Sequence, residues 1–445
     1  MERRRVGGSY ADDSFARVPI LLALVMALVV AGPMLAADKL PGALCALTVF
    51  GTALWRPRFA LVAAFPAFLL TSALGMSTVF LVGVPLVAAM VTAFVAGELR
   101  IDGRRHLALA GFALWMAGSV LTIPAAPFLQ TSRLSDAVTL VLGVLLAGFA
   151  LSVAPSPVVL RLVTIATTSI VAAGLLLGTH PTDLDGRPTA FGLGTNALGL
   201  LIAMGLACAI VQLHTGNRLV AMIALPIQAA GLWMTQSRGA LVALGCGLAV
   251  YAAGQLLAKG SRRQRIPVAG AVVLIAAGLA AVVYSLGDGA FGVRSASSLD
   301  ANNASRSTAA LHAIRLASEH PLFGIGYGNF PSYTLSATNE YINTHNDFLR
   351  LAAETGLPGL ALFLLVLAGI LTRSGSSEWQ RTLPLIVTFV VGQLFINSLS
   401  YLTVATPFWI AIGALSSRRH RVASTPSATP PRSTAIRVPV GTGGR

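Results

Sequence analysis

The chain has 445 residues, 55% of them hydrophobic and only 11% charged, with a mean hydropathy of +0.77. That balance excludes a soluble globular domain and identifies an integral membrane protein. The formal charge of +15 does not point to nucleic acid, because the basic residues sit in short loops between apolar runs.

Taken in chain order, residues Met1 to Asp38 have the outline of a secretory signal, since Arg3, Arg4 and Arg5 precede an apolar run ending in LAAD. They are read as an uncleaved first span. Apolar runs follow one another at 18–36, 40–55, 59–75, 78–96, 107–128, 137–155, 157–178, 195–213, 219–233, 239–258, 266–286, 357–372, 382–398 and 402–416. Each approaches the roughly 20 residues a helix needs to cross the hydrocarbon core. Several are short, and the second and third also fit a re-entrant pair, so about twelve to fourteen spans are expected. Alternating β-barrel patterning is absent, which leaves an all-α polytopic bundle. Cys45, Cys208 and Cys246 fall inside these runs without paired spacing and indicate neither disulfides nor a metal site.

Orientation follows from the retention of Lys and Arg on the cytoplasmic side. With the N-terminus inside, Arg56, Arg58, Arg100, Arg104, Arg105, Lys259 and Arg373 all face the cytoplasm, while the outer short loops keep only Lys39, Arg133, Arg187 and Arg238. The expected organisation is a cytoplasmic N-terminus (1–17), a bundle (18–286), an extracytoplasmic loop with short helices (287–356), further spans (357–416) and a disordered cytoplasmic tail (417–445). A loop this long within a bundle is usually functional.

Four outward segments carry the distinctive polar residues: DGRPTAFGLGTNALG (185–199), TQSRGALVAL (235–244), NASRSTAALHAIRLASEHPLFGIGYGNF (303–330) and THNDFLRLAAETG (344–356). Meeting at one face, they build a candidate ligand cavity. Arg238 opens an apolar helix, where exposed backbone N–H groups favour an anion, although a snorkelling Arg explains it as well. The third segment reads as a helix capped by Asn303 or Ser305 and stopped before Pro321, with Arg306 in its first turn. A cation there is unfavourable unless an anion meets it; a solvated interfacial helix is the plain alternative.

In the fourth segment, Thr344 and Asp347 fit a capping box, placing His345 at the first helical position and the helix end at Gly356. The positive helix end disfavours imidazolium, so His345 should be neutral at pH 7 and able to act as a base. Asn346, Arg350 and Glu354 share one helix face, and Arg350 and Glu354 are expected to pair structurally.

These segments, in this order, resemble the bacterial O-antigen ligase and polymerase superfamily. The resemblance rests on Arg187 through Asn196 to Gly199, on Ser237-Arg238-Gly239, on the run from Arg306 through HPLFGIGYGNF, and on His345-Asn346 through Leu349, Glu354, Gly356 and Gly359. FINSLSYLTVATPFWIAIGAL is similar to the family's closing helices, and the likeness covers roughly residues 185 to 416. Thr195 stands where a Pro often precedes the Asn, and small residues around Ala310 stand where an aromatic often follows the Arg.

The resemblance implies a GT-C-like bundle in the bacterial inner membrane with a site facing the periplasm. It implies inverting, metal-independent glycan transfer from an undecaprenyl diphosphate-linked donor to a hydroxyl of a glycan, lipid or protein, for surface polysaccharide or lipopolysaccharide assembly. His345 would be the base, Arg238 and Arg306 would stabilise the diphosphate, Arg187, Asn196 and Asn346 would bind substrate, and no cofactor is implied. A repeat-unit polymerase and a protein O-oligosaccharyltransferase remain open within the same superfamily. A transporter of a small solute is the rival of another class; coupled transporters usually need ionisable groups at mid-membrane, and only Arg161 falls inside a predicted span.

Overall fold

The computed structural model describes residues 51, 57–73, 79–95, 103–122, 130–153, 155–178, 180–183, 186–216, 218–259, 296–340, 342–371 and 377–416. The predicted spans 18–36 and 266–286, nearly all of 40–55, the N-terminal segment and the tail from 417 lie outside them. The described residues form α1 (Pro57–Ala73), α2 (Val84–Val95), α3 (Gly103–Thr122), α4 (Gln130–Val153), α5 (Pro157–Leu177), α6 (Thr195–Thr215) and α7 (Arg218–Thr235). They continue with α8 (Arg238–Lys259), α9 (Ala296–Glu319), α10 (Phe330–Thr338), α11 (Asp347–Leu371), α12 (Ser377–Gly392) and α13 (Leu402–Ser416). Among the described residues there is no strand, only two isolated bridges within 182–193.

Among the described residues, six stretches are long and apolar enough to cross a membrane: Asp136–Val153, Pro157–Leu177, Thr195–Thr215, Arg218–Thr235, Arg238–Leu256 and Asp347–Gly369. Shorter apolar helices run over Ala60–Ala73, Leu81–Thr92, His106–Val120 and Leu402–Leu415. The chain is therefore a multi-pass, all-α membrane protein, as its composition required. α6 is apolar on every side, and such a helix must be enclosed; it packs against α5, α7, α8 and α12. Alongside this group, α13 packs on α1 and α4, and α3 packs on α4 and α11. Trp409 of α13 is fully buried and meets Phe363 of α11 edge-on at 6.4 Å.

Three boundaries differ from the sequence reading, and each difference shapes the site. First, α11 does not begin at His345. It begins at Asp347, because the Asn346 side-chain oxygen accepts the backbone N–H groups of Phe348 and Leu349 at 3.0 and 3.1 Å. Asn346 is thus the N-cap, and the Thr344 hydroxyl donates elsewhere. As expected, Gly356 ends the first arm: it has φ 73° and ψ 176°, a conformation open to glycine, and a second helical arm follows at once. The rings of Phe348 and Phe363 lie 6.0 Å apart, whereas fifteen residues of straight helix would separate them by about 22 Å. The two arms of α11 therefore fold back sharply on one another.

Second, α9 starts at Ala296, ten residues before Arg306, so Arg306 lies in mid-helix and not in a first turn. Polar Asn302 and Asn303 continue the helix; the Arg306 Nε donates to Asn302 Oδ1 at 3.0 Å, one turn back. Third, the predicted span 382–398 stops at Gly392, and residues 393–401 form a turn and a short 3-10 segment (Ser398–Ser400) before α13.

Candidate active site

The polar segments meet at one end of the bundle and are tied together by traceable contacts. In the first, Asp183 Oδ2 accepts from the Arg187 guanidinium at 2.7 Å and from the Thr195 hydroxyl at 2.9 Å, and Oδ1 accepts the Arg187 backbone N–H at 2.9 Å. Asn196, in the first turn of α6, accepts from Arg187 at 3.3 Å and from the Ser237 hydroxyl at 3.4 Å. That last bond joins the first segment to the second. Arg187, expected to bind substrate, is buried and engaged in holding its own loop.

The second segment turns at Gln236, whose φ of 49° is left-handed, and α8 then begins with Arg238 as the sequence indicated. A Cβ on Gly239 would collide with Cβ of Phe395, so α8 lies directly against the 393–401 turn. This turn in turn grips the fourth segment: Asp347 N–H donates to the Gln393 carbonyl at 2.9 Å, and the Thr344 hydroxyl donates to Asn397 Oδ1 at 2.9 Å.

The third and fourth segments interlock through backbone. Ile325 N–H donates to Ala353 O at 3.0 Å and Leu357 N–H to Pro321 O at 2.8 Å. Gly324 and Gly356 both have positive φ and would each strike the other segment's backbone if they carried a side chain. Ala309, Ala313, Leu316, Phe330, Ile342 and Ala353 form a small apolar core beneath α9. Arg306 lies three and seven residues before Ala309 and Ala313, on the same face of α9. It therefore faces the fourth segment.

Arg350 and Glu354 pair as expected, at 2.9 Å, but they belong to a larger network. Arg350 also donates to Asp136 of α4 at 2.7 Å and to the Ser400 hydroxyl, and its guanidinium lies 4.7 Å over the Tyr327 ring. Glu354 accepts the Phe330 N–H at 2.9 Å. Asp136, Tyr327, Gln393, Asn397, Ser398 and Ser400 were not singled out from sequence. Asp136 opens an apolar run 214 residues before its partner, and the others sit in segments whose pairing only the fold reveals.

His345 is central to this end. Its φ of 50° puts it in the left-handed region, outside the helix. Burial, with the Arg306 charge adding to it, lowers its pKa from 6.5 to about 4. It is neutral at pH 7, as expected, but from desolvation and a neighbouring cation, not from a helix end. The arrangement offers a neutral imidazole within the field of the Arg306 guanidinium, with Arg238 at the start of a helix in an adjoining segment.

The class this defines is a multi-pass helical membrane protein with a basic and imidazole-bearing site at one end of its bundle. Residues 222–364 match the family described as O-antigen ligase, in line with the resemblance to the O-antigen ligase and polymerase superfamily carried by the four polar segments. The matched stretch contains Arg238, Arg306 and His345, and the match supports glycan transfer in polysaccharide assembly by a glycosyltransferase-like enzyme. No curated protein matches the chain.

Proposed function

We propose that the protein transfers a glycan from an undecaprenyl diphosphate-linked donor to an acceptor hydroxyl, with inversion and without a metal, at the extracytoplasmic end of the bundle. The observation that carries this is His345, half-buried, neutral and within the field of the Arg306 charge, in a chain that matches O-antigen ligase over that segment. His345 removes the proton from the acceptor hydroxyl as that oxygen attacks the anomeric carbon, and the bond to the diphosphate breaks on the opposite face. Arg306 and Arg238 hold the diphosphate and stabilise the negative charge it gains. Cations already aimed at a developing charge need no reorganisation at the moment of reaction. Guanidinium suits the task because it binds phosphate oxygens bidentately and stays charged.

The pair is also self-adjusting. With no donor bound, the Arg306 charge depresses the basicity of His345. A bound diphosphate offsets that charge, so the imidazole becomes a stronger base when the donor arrives. Arg187 and Asn196, bonded to each other, fix the position of the Ser237-Arg238 turn.

The test is transfer by purified protein from an undecaprenyl diphosphate glycan, comparing wild type with Arg306→Ala and Arg238→Ala. Each variant should lose on the order of 10²- to 10³-fold in rate, as removal of one charge-stabilising donor does elsewhere. Undiminished transfer by both would remove the diphosphate-binding roles.

A further inference from the structure

The 393–399 turn grips the chain on both sides of His345. On the N-terminal side, Thr344 Oγ1 donates to Asn397 Oδ1 at 2.9 Å. On the C-terminal side, Asp347 Oδ2 accepts from the Ser398 hydroxyl and from Leu399 N–H, both at 2.9 Å, while Asp347 N–H donates to Gln393 O at 2.9 Å. Thr344, Asp347 and Ser398 are all buried, so water cannot replace these bonds cheaply. The turn is itself fixed, since a side chain on Gly392 would collide with Leu200 of α6 and one on Gly239 would collide with Phe395.

Between these two points His345 keeps a left-handed backbone, φ 50°. A non-glycine residue holds such a conformation only when its surroundings over-determine it. Here the restraint comes from the turn, and residues 393–399 lie beyond the 222–364 stretch that matches the family.

We propose that Asn397 and Ser398 are positioning residues for His345: the 393–399 turn is a clamp that sets the histidine's backbone conformation and so aims its imidazole. The proposal rests on the reading of His345 as the base. Neither residue need touch substrate. Losing either bond lets the 344–347 segment relax, and a misplacement of about 1 Å in a catalytic group can cost on the order of 10²-fold in rate.

Two readouts on full-length protein in lipid nanodiscs test this: hydrogen exchange of the 342–349 amides, and the split between kcat and KM for the undecaprenyl diphosphate glycan. Asn397→Ala and Thr344→Val remove the same bond from opposite sides, so a folding defect in one does not silence the test. Both should lose amide protection across 342–349 and fall on the order of 10²-fold in kcat with KM unchanged. Asn397→Asp and Thr344→Ser, which keep the acceptor and the donor, should restore both readouts. Unchanged exchange in Asn397→Ala and Thr344→Val would overturn the clamp, whatever happens to the rate. A His345→Ala variant that still transfers at the wild-type rate would instead remove the base, leaving the exchange result to judge the clamp alone.

Discussion

The two ends of the bundle both bury an arginine against carboxylates, but they embed it in different backbone. At one end Arg161, near the start of α5, donates to Glu378 at 2.9 Å and to Thr382 at 3.0 Å on α12, and Glu378 also takes Arg381 at 2.8 Å. Every partner there is helical, and the contact joins helix to helix. At the other end Arg350 reaches Asp136, Glu354 and Ser400, and the surrounding contacts run through loops and turns. Of the non-glycine residues with positive φ among those described, Phe191, Gln236 and His345 fall in the segments that build this second end, and Asn339 ends α10 between the third and fourth of them. A helix-to-helix ion pair fastens a bundle; irregular backbone pinned by side chains places individual groups. The first arrangement serves stability, and the second, as proposed above, serves a site.

The sharpest way to break this comparison is through Arg350. Arg350→Met would leave Glu354, which is wholly buried, without its cation, and removing one partner of a buried pair costs about 3–5 kcal/mol. A large fall in melting temperature is expected, measured on detergent-purified protein. Arg161→Met should cost less, about 1–3 kcal/mol, because Glu378 is partly exposed and keeps Arg381. It should leave the rate of transfer per folded molecule unchanged. A specific loss of rate in Arg161→Met would mean that the far end also serves the chemistry.

A subtler prediction uses pH. With a free-protein pKa of about 4 for His345, kcat/KM should hold on acidification and fall only as pH drops toward 4, where the imidazole gains its proton. Arg306→Gln removes one of the two lowering influences, so this acid limb should move upward. In the wild type the limb of kcat should lie above that of kcat/KM, because bound diphosphate offsets Arg306. An acid limb unmoved by Arg306→Gln would uncouple the two residues. The smallest effect belongs to Asn346→Ala, where loss of the α11 cap should cost about 1 kcal/mol of stability.

Much of the fold was legible because a lipid environment leaves few options: apolar length marks the spans, and Gly356 marks the break in α11. Arg350 and Glu354 were legible because four residues bring side chains together on one helix face. The local rules failed where tertiary bonds competed with them. Thr344 had the sequence of an N-cap, but its hydroxyl goes to Asn397 and the cap falls to Asn346. Arg306 seemed to lie in a first turn because Asn303 and Ser305 each read as a cap; the helix instead runs through both from Ala296. Gln393, Asn397 and Ser398 were absorbed into an apolar run because polar residues in such a run reveal nothing of their partners, which here lie about 46 to 53 residues away in the chain.

The central claim is that His345 is the base for glycan transfer from a lipid diphosphate. Its most direct test is single-turnover transfer of a labelled glycan from undecaprenyl diphosphate to an acceptor hydroxyl, by wild type and His345→Gln in nanodiscs, with melting temperatures confirming that both are folded. Donor binding should be retained in the variant and the transfer rate should fall on the order of 10²- to 10⁴-fold, the usual contribution of a general base. Wild-type transfer by a folded His345→Gln protein would contradict it.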